Sequence, residues 1–254
     1  LRDYMSLYGF PLENSSFLKK VKGTVIDGYT ATAPNTTTAL LRMFLQMKGD
    51  DFVYENNLIS LAKQAGFTTY WFSNQGSIGN WNMPIAKIGY LSDHKVFTKK
   101  GDSGSMNFYD TALLPVLERH LKEKSNNPRL FVLHIMGSHP YFPERLEHAI
   151  HYDYYNRNLS AYLQTLEQTD AFLKQVYQLL KAQGEPFSLL YFSDHGLTSQ
   201  DRSSPTFATL NHADTKPNKG AYRVPFALIN SDDSEHKMMK IDKSAFYFLK
   251  GYAH

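Results

Sequence analysis

Asp194 and His195 stand together in Leu189-Leu-Tyr-Phe-Ser-Asp-His-Gly196, directly after an apolar, aromatic run that reads as a buried strand. A carboxylate and an imidazole delivered side by side can hold one hard-to-borderline cation, and Gly196 lets the backbone turn sharply behind them. Taken alone, the pair also fits a helix N-cap aspartate beside a surface histidine. Thr36-Thr37-Thr38 follows Pro34-Asn35 and precedes an apolar stretch with helical spacing. A threonine at a helix start sits where backbone N–H groups and the macrodipole favour an anion, so a phosphoryl group would be stabilised there. A metal could lower the pKa of such a hydroxyl enough for attack, while a plain N-cap threonine is the competing reading.

Two histidines stand apart from this pair. His139 lies in Gly137-Ser-His-Pro-Tyr141, a turn after a strand, and His212 lies in Asn211-His-Ala-Asp214, in a polar loop that carries Lys216, Lys219 and Arg223. Either could protonate a leaving alkoxide or hold a phosphate oxygen. The chain has ten histidines, so most of them must be bystanders. Asp170 interrupts the apolar stripe of a long helix; a buried carboxylate needs partners, so the expectation is a structural hydrogen bond to a neighbouring loop and no chemical role. Cysteine is absent, which excludes a cysteine nucleophile, a thiolate metal site and a disulfide framework. Any metal is left to His, Asp, Glu or hydroxyl ligands, a set that suits zinc or manganese.

The elements that must position these groups alternate. Strands are expected at Val25–Ala33, Phe67–Phe72, Arg129–Met136, Phe187–Phe192 and Arg223–Ile229, and helices at Thr37–Gln46, Asn57–Ala65, Thr111–Glu123 and about Tyr155–Gln183. Strands alternating with helices of this length predict an α/β fold with a mostly parallel central sheet and helices on both faces. Ligands in such sheets bind at the carboxyl ends of the strands. Asn74-Gln75, Gly137-Ser138-His139 and Asp194-His195-Gly196 each follow a predicted strand, so the three polar clusters are expected to converge. With 254 residues and 42% hydrophobic content the chain is read as a single soluble domain, residues 1–254. No apolar run approaches the roughly 18 residues of a membrane span. A net charge of +3 with scattered basic residues argues against a nucleic-acid partner.

In order along the chain these segments resemble the phosphoethanolamine transferases of Gram-negative bacteria, members of the alkaline phosphatase and sulfatase superfamily. Arg2-Asp-Tyr-Met-Ser-Leu-Tyr-Gly-Phe10 resembles the segment after that family's first strand, and Ala33-Pro-Asn-Thr-Thr-Thr-Ala39 its nucleophile segment. The resemblance assigns the attack to Thr38, with Thr36 or Thr37 as the fallback. Tyr70-Trp-Phe-Ser-Asn-Gln75 is similar to a strand ending that borders the substrate pocket. Gly137-Ser-His139 resembles the substrate-side histidine, Asp194-His195 the metal pair, and Asn211-His212 with Val224-Pro225 the late histidine and final strand.

The resemblance implies zinc held by Thr38, Asp194 and His195, with a further glutamate ligand expected just before Leu1. It implies substrate contacts from His139, His212 and Asn74. Thr38 would take phosphoethanolamine from phosphatidylethanolamine as a covalent intermediate and pass it to a lipopolysaccharide or other envelope glycan. The chain is then a monomeric fragment of a membrane-anchored protein, working at the periplasmic face of the inner membrane, with the membrane-spanning N-terminal part absent. Lack of cysteine places it nearer the members that modify lipopolysaccharide core than the disulfide-rich lipid A branch. The alternatives are a phosphodiesterase or phosphatase on the same scaffold, with water as acceptor, and a binding domain that has lost turnover.

Overall fold

The computed structural model of the chain describes residues 2–80, 82–99, 109–199, 210–211 and 219–252. Its strands are β1 (Gly23–Thr30), β2 (Leu45–Lys48), β3 (Asp51–Asn57), β4 (Thr68–Ser73), β5 (His94–Phe97) and β6 (Arg129–His134), then β7 (Ser188–Phe192), β8 (Thr198–Ser199), β9 (Leu210–Asn211), β10 (Phe226–Asn230) and β11 (His236–Ser244). Its helices are α1 (Ser16–Lys20), α2 (Thr36–Phe44), α3 (Leu58–Gln64), α4 (Met83–Tyr90), α5 (Leu113–Leu121), α6 (Arg157–Ala182), α7 (Lys219–Tyr222) and α8 (Phe248–Tyr252). Two compact units result. The first comprises Leu1–Thr36 and Gly137–Ser244, the second Thr37–Met136 and Ala245–His254.

The first unit is built on a four-stranded sheet in the order β11-β1-β10-β7. β1 runs parallel to β11, and β10 runs antiparallel to both β1 and β7. β1 and β7 therefore point the same way, and the residues that follow each leave from the same end of the sheet. The expected mostly parallel sheet is here a mixed one. Its cause is local: residues 231–235 are too few for the crossover of about a dozen residues that parallel strands need, so β10 and β11 run in opposite directions on either side of β1.

The core of this unit gathers Val25 of β1, Ala227 and Ile229 of β10, and Leu159, Tyr162, Leu166 and Leu173 of α6. β10 alternates as a half-buried strand should, with Ala227 and Ile229 turned inward. α6 begins where Asn156 caps it, its side chain accepting from the Leu159 N–H at 2.9 Å, and it buries the stripe of leucines that its 3.6-residue period sets on one face. Asp170 lies within that stripe. It accepts from the Phe17 N–H at 2.7 Å and the Leu18 N–H at 3.0 Å, so it caps the start of α1, the structural role its burial demands.

The second unit holds a three-stranded parallel sheet in the order β5-β4-β6, and a β2–β3 antiparallel pair. β4 is central, and from Thr69 to Ser73 every residue is buried, which is why it reads as an unbroken aromatic and β-branched run. Thr68 to Ser73 register with Arg129 to His134 of β6. α3 and α5 pack on β4. Asn57 starts α3 with a reciprocal capping box, accepting from the Ile59 and Ser60 N–H groups while the Ser60 hydroxyl accepts from the Asn57 N–H.

Candidate functional site

β7 ends at Phe192, and Ser193 to Gly196 form the turn that leaves the sheet. Three hydrogen bonds fix this turn. The Ser193 hydroxyl donates to the His195 carbonyl at 2.8 Å, the His195 N–H donates to Asp194 Oδ1 at 2.9 Å, and the Gly196 N–H donates to the Ala221 carbonyl at 2.7 Å. A Cβ at Gly196 would stand 2.1 Å from the Gly220 carbonyl oxygen, so only glycine lets α7 close on the turn.

The imidazole of His195 is oriented by that turn. Nδ1 lies 2.7 Å from the Gly196 carbonyl, an acceptor only, so Nδ1 carries the proton and Nε2 presents its lone pair. Facing Nε2 are the Thr36 hydroxyl at 3.1 Å and Asp194 Oδ2 at 3.7 Å. The His195 side chain is 7% exposed and that of Asp194 24%, so water reaches the pair from one side. Thr36 is the first residue of α2, a nine-residue helix whose N-terminal end carries the positive end of the helix dipole. A backbone-locked imidazole with its unprotonated nitrogen beside a carboxylate and a hydroxyl is the nitrogen and oxygen donor set that zinc accepts. Among the described residues no group of three or more His, Asp or Glu side chains gathers to hold a metal, so a hydroxyl or a group beyond those residues must complete the set.

Two of the expected site residues, Asp194 and His195, are thus brought together, and the hydroxyl beside them is that of Thr36, one of the two fallbacks, where the resemblance assigns Thr38. Thr38 belongs to the second unit, as does Asn74. Asn74 is fully buried. Its amide donates to Asp110 Oδ1 at 2.7 Å and accepts from the Thr98 hydroxyl at 2.6 Å, which ties the end of β4 to its neighbours and suits a brace better than a substrate contact. Asp110 also accepts from the Met136 N–H at 2.8 Å, so this brace spans the ends of two parallel strands. His139 lies in the turn after β6, with Nδ1 3.3 Å from the Pro140 carbonyl, and its neighbour Ser138 accepts from Thr165 of α6 at 2.8 Å. His212 lies outside the described residues.

Sequence reasoning missed the Gly196–Gly220 contact and the backbone hold on His195. The signal within reach was Gly196 itself; nothing in the sequence points to a partner 24 residues away. It also missed Arg2, which is 5% exposed and paired with Asp27 and Asp3.

A family model described as Sulfatase matches residues 1–250. Phosphoethanolamine transferase OpgE of Escherichia coli strain K12 is 35% identical over 249 residues, covering 98% of this chain and 47% of that protein. The chain spans about half the length of the curated relatives it matches. Among solved structures, the C-terminal periplasmic domain of EptC from Escherichia coli in complex with Zn superposes with a TM-score of 0.81 at 20% identity, over 99% of this chain and 78% of that one. The C-terminal periplasmic domain of phosphoethanolamine transferase EptC from Campylobacter jejuni superposes with a TM-score of 0.75 at 20% identity, over 98% and 84%. These likenesses establish an alkaline phosphatase and sulfatase-like α/β fold, with helices on both faces of its sheets.

Proposed function

Because this chain belongs to the sulfatase family, we propose that it is the catalytic domain of a zinc-dependent phosphoethanolamine transferase, moving phosphoethanolamine from phosphatidylethanolamine to a lipopolysaccharide or other envelope glycan. The observation that carries the reading is the Thr36 hydroxyl, at the head of α2 and 3.1 Å from an Nε2 whose lone pair the Gly196 carbonyl holds in place. The 35% identity to OpgE along 98% of the chain supports the choice of transferred group. Likeness to the periplasmic domain of EptC supports a place at the periplasmic face of the inner membrane, the chain acting as a monomeric domain of a membrane-anchored protein.

Asp194, His195 and Thr36 would hold the zinc, with the glutamate expected just before Leu1 completing the set. Zinc, when bound, supplies Lewis acidity that lowers the pKa of the hydroxyl. The Thr36 hydroxyl releases its proton to solvent, Thr36 Oγ1 attacks the phosphorus of phosphatidylethanolamine, a Thr36 O–P bond forms and the bond to diacylglycerol breaks. His139 or His212 donates a proton to the leaving oxygen. The positive end of the α2 dipole would stabilise charge on the non-bridging oxygens. An acceptor hydroxyl or phosphate then displaces Thr36 and takes the phosphoethanolamine.

The test is mass spectrometry of the peptide spanning Thr36 to Thr38, after the protein carrying its upstream segment is incubated with Zn²⁺ and a phosphatidylethanolamine analogue. A phosphoethanolamine adduct on Thr36, lost in Thr36→Ala, supports the reading. An adduct on Thr38 moves the nucleophile to the residue that the resemblance assigns. No adduct at any of the three threonines overturns transfer through a covalent intermediate.

A further inference from the structure

On the first unit, the edge pair β1–β11 breaks register between Asp27 and Tyr29: one residue of β1 faces two of β11, Ile241 and Asp242. A bulge of this kind bends the strand pair and re-aims its side chains. Here it opens a cavity of about 640 Å³, lined by this stretch of both strands together with Arg2 and the α7 segment that runs on to Arg223. That volume lies within the range of small-molecule sites, roughly 300–1,000 Å³.

The walls are charged. Arg2, Lys219, Arg223 and Lys240 supply four cations against the carboxylates of Asp27 and Asp242. Arg2 pairs with Asp27 and Asp3, and Arg223 reaches Asp3 at 3.1 Å, so Asp3 brings the carboxylates to three. Lys219 and Lys240 have no ion-pair partner among the described residues, and both are exposed. Two wall residues, Arg2 and Tyr29, each bury a polar atom, Nε and Oη, that has no hydrogen-bond partner among the described residues. Burial pushes the Tyr29 phenol well up, so it stays protonated.

The cavity is joined through α7 to the turn that carries Asp194 and His195. The Ala221 carbonyl accepts from the Gly196 N–H behind the Asp194–His195 pair, while Lys219 and Arg223, on either side of it in the chain, line the cavity. Four cationic groups on these walls suit a sugar that carries an oxyanion, with guanidinium and ammonium groups on the anion and the carboxylates of Asp27 and Asp242 near hydroxyls.

We propose that this cavity is the subsite for the anionic sugar of the acceptor glycan, a proposal that rests on the transferase reading above. The oxyanion can be a phosphate or a carboxylate, and Lys219, Lys240 and Arg223 bind the charge that both share.

The experiment has a binding arm and a transfer arm, on the zinc-loaded protein with its upstream segment. In the binding arm, glucose 1-phosphate, glucuronate and glucose are titrated calorimetrically into the wild type, Lys240→Ala, Tyr29→Phe and Asp194→Asn. The expected result is binding of at least one anionic sugar, weakened about fivefold by Lys240→Ala and unchanged by Tyr29→Phe, whose hydroxyl is buried, with glucose not bound. Equal affinity in the wild type and Lys240→Ala, or loss of binding in Asp194→Asn alone, overturns the subsite. In the transfer arm, the threonine adduct is formed first and its discharge to the sugar that binds is timed. Slower discharge with unchanged adduct formation in Lys240→Ala supports the acceptor assignment. Slower adduct formation overturns it and gives the cavity to the donor headgroup. Absence of any adduct in the wild type counts against the transferase reading, and the binding arm still decides whether the cavity holds the anion.

Discussion

Gly89 of α4 lies flat against the indole of Trp71: a Cβ at Gly89 would come within 2.7 Å of both Trp71 Cδ1 and Nε1. Trp71 is fully buried in β4 and also meets Phe44 edge-on at 6.3 Å, so it has nowhere to retreat. In an exposed helix, Gly→Ala gains about 1 kcal/mol. Here the sign reverses. Gly89→Ala is expected to cost about 1–3 kcal/mol, the range for overpacking a filled core. Urea denaturation checks this, and a gain in stability would refute the packing described.

Asp170 carries a second stability prediction. At 6% exposure it holds two N–H groups at the start of α1. Asp170→Ala leaves both donors unmet in the core and is expected to cost about 2–3 kcal/mol, while Asp170→Asn keeps one acceptor and costs about 1 kcal/mol. Because the residue is structural, adduct formation per folded molecule should be unchanged in both variants. A loss of chemistry at full stability would give Asp170 a role it has not been assigned.

Two carboxylates tie stability to acid pH. Hydrogen bonds from Lys19 and then Ser6 hold the Glu13 carboxyl down at about 2, against an ordinary 4.5. For Asp93, burial pushes upward, but Lys63 together with the Thr69 N–H and hydroxyl outweighs it and holds the group at about 2, against 3.8. A folded pKa below the unfolded one means that the contribution is present above the unfolded pKa and is lost as pH falls through the folded one. The window therefore opens near pH 4.5 for Glu13 and 3.8 for Asp93, and closes near 2 for both. Both side chains are partly solvated, so screening leaves no more than about 1 kcal/mol each. Glu13→Gln and Asp93→Asn should each lower the melting temperature at pH 6 and match the wild type more closely at pH 2.5. A gap between variant and wild type that widens in acid would contradict the assignment.

Elements with a strong period were legible from residues alone. The stripe Leu159, Leu163, Leu166, Leu173, Val176 and Leu180 marked α6, of which all but Leu180 are buried, and the unbroken aromatic run marked β4. β11 was not legible: its residues His236–Ser244 are mostly polar and exposed, because an edge strand draws its stability from backbone pairing with β1 rather than from burial. The β2–β3 pair was hidden for a related reason, since Leu45–Lys48 continues the helical pattern of α2 before turning to strand. At the candidate site, the pairing of Asp194 with His195 after a strand could be read from type and position. Which threonine meets His195 could not, since three consecutive threonines share one propensity and only the start of α2 separates them. A helix turns about 100° per residue, so Thr36 and Thr38 leave α2 on opposed faces, a difference invisible in composition.

The turn that orients His195 gives the last prediction. The Gly196 carbonyl fixes the tautomer of His195 through Nδ1, and the absence of a side chain at Gly196 lets the Gly220 carbonyl approach. Gly196→Ala places a methyl 2.1 Å from that oxygen, so the turn or α7 must shift, and the carbonyl on Nδ1 shifts with it. Outer groups that orient a metal-binding histidine typically control affinity by about 10–100-fold. Zinc binding in Gly196→Ala, followed by competition with a chromogenic chelator, should weaken by about that factor, and adduct formation at Thr36 should fall in step when zinc is limiting. Excess zinc should restore part of the rate, because the ligands remain while their orientation is lost. The far-ultraviolet circular dichroism should match the wild type, since the change sits beyond the end of β7. Wild-type zinc affinity in Gly196→Ala would mean that the Gly196 carbonyl does not position His195 for a metal, and would remove the strongest support for zinc at this turn.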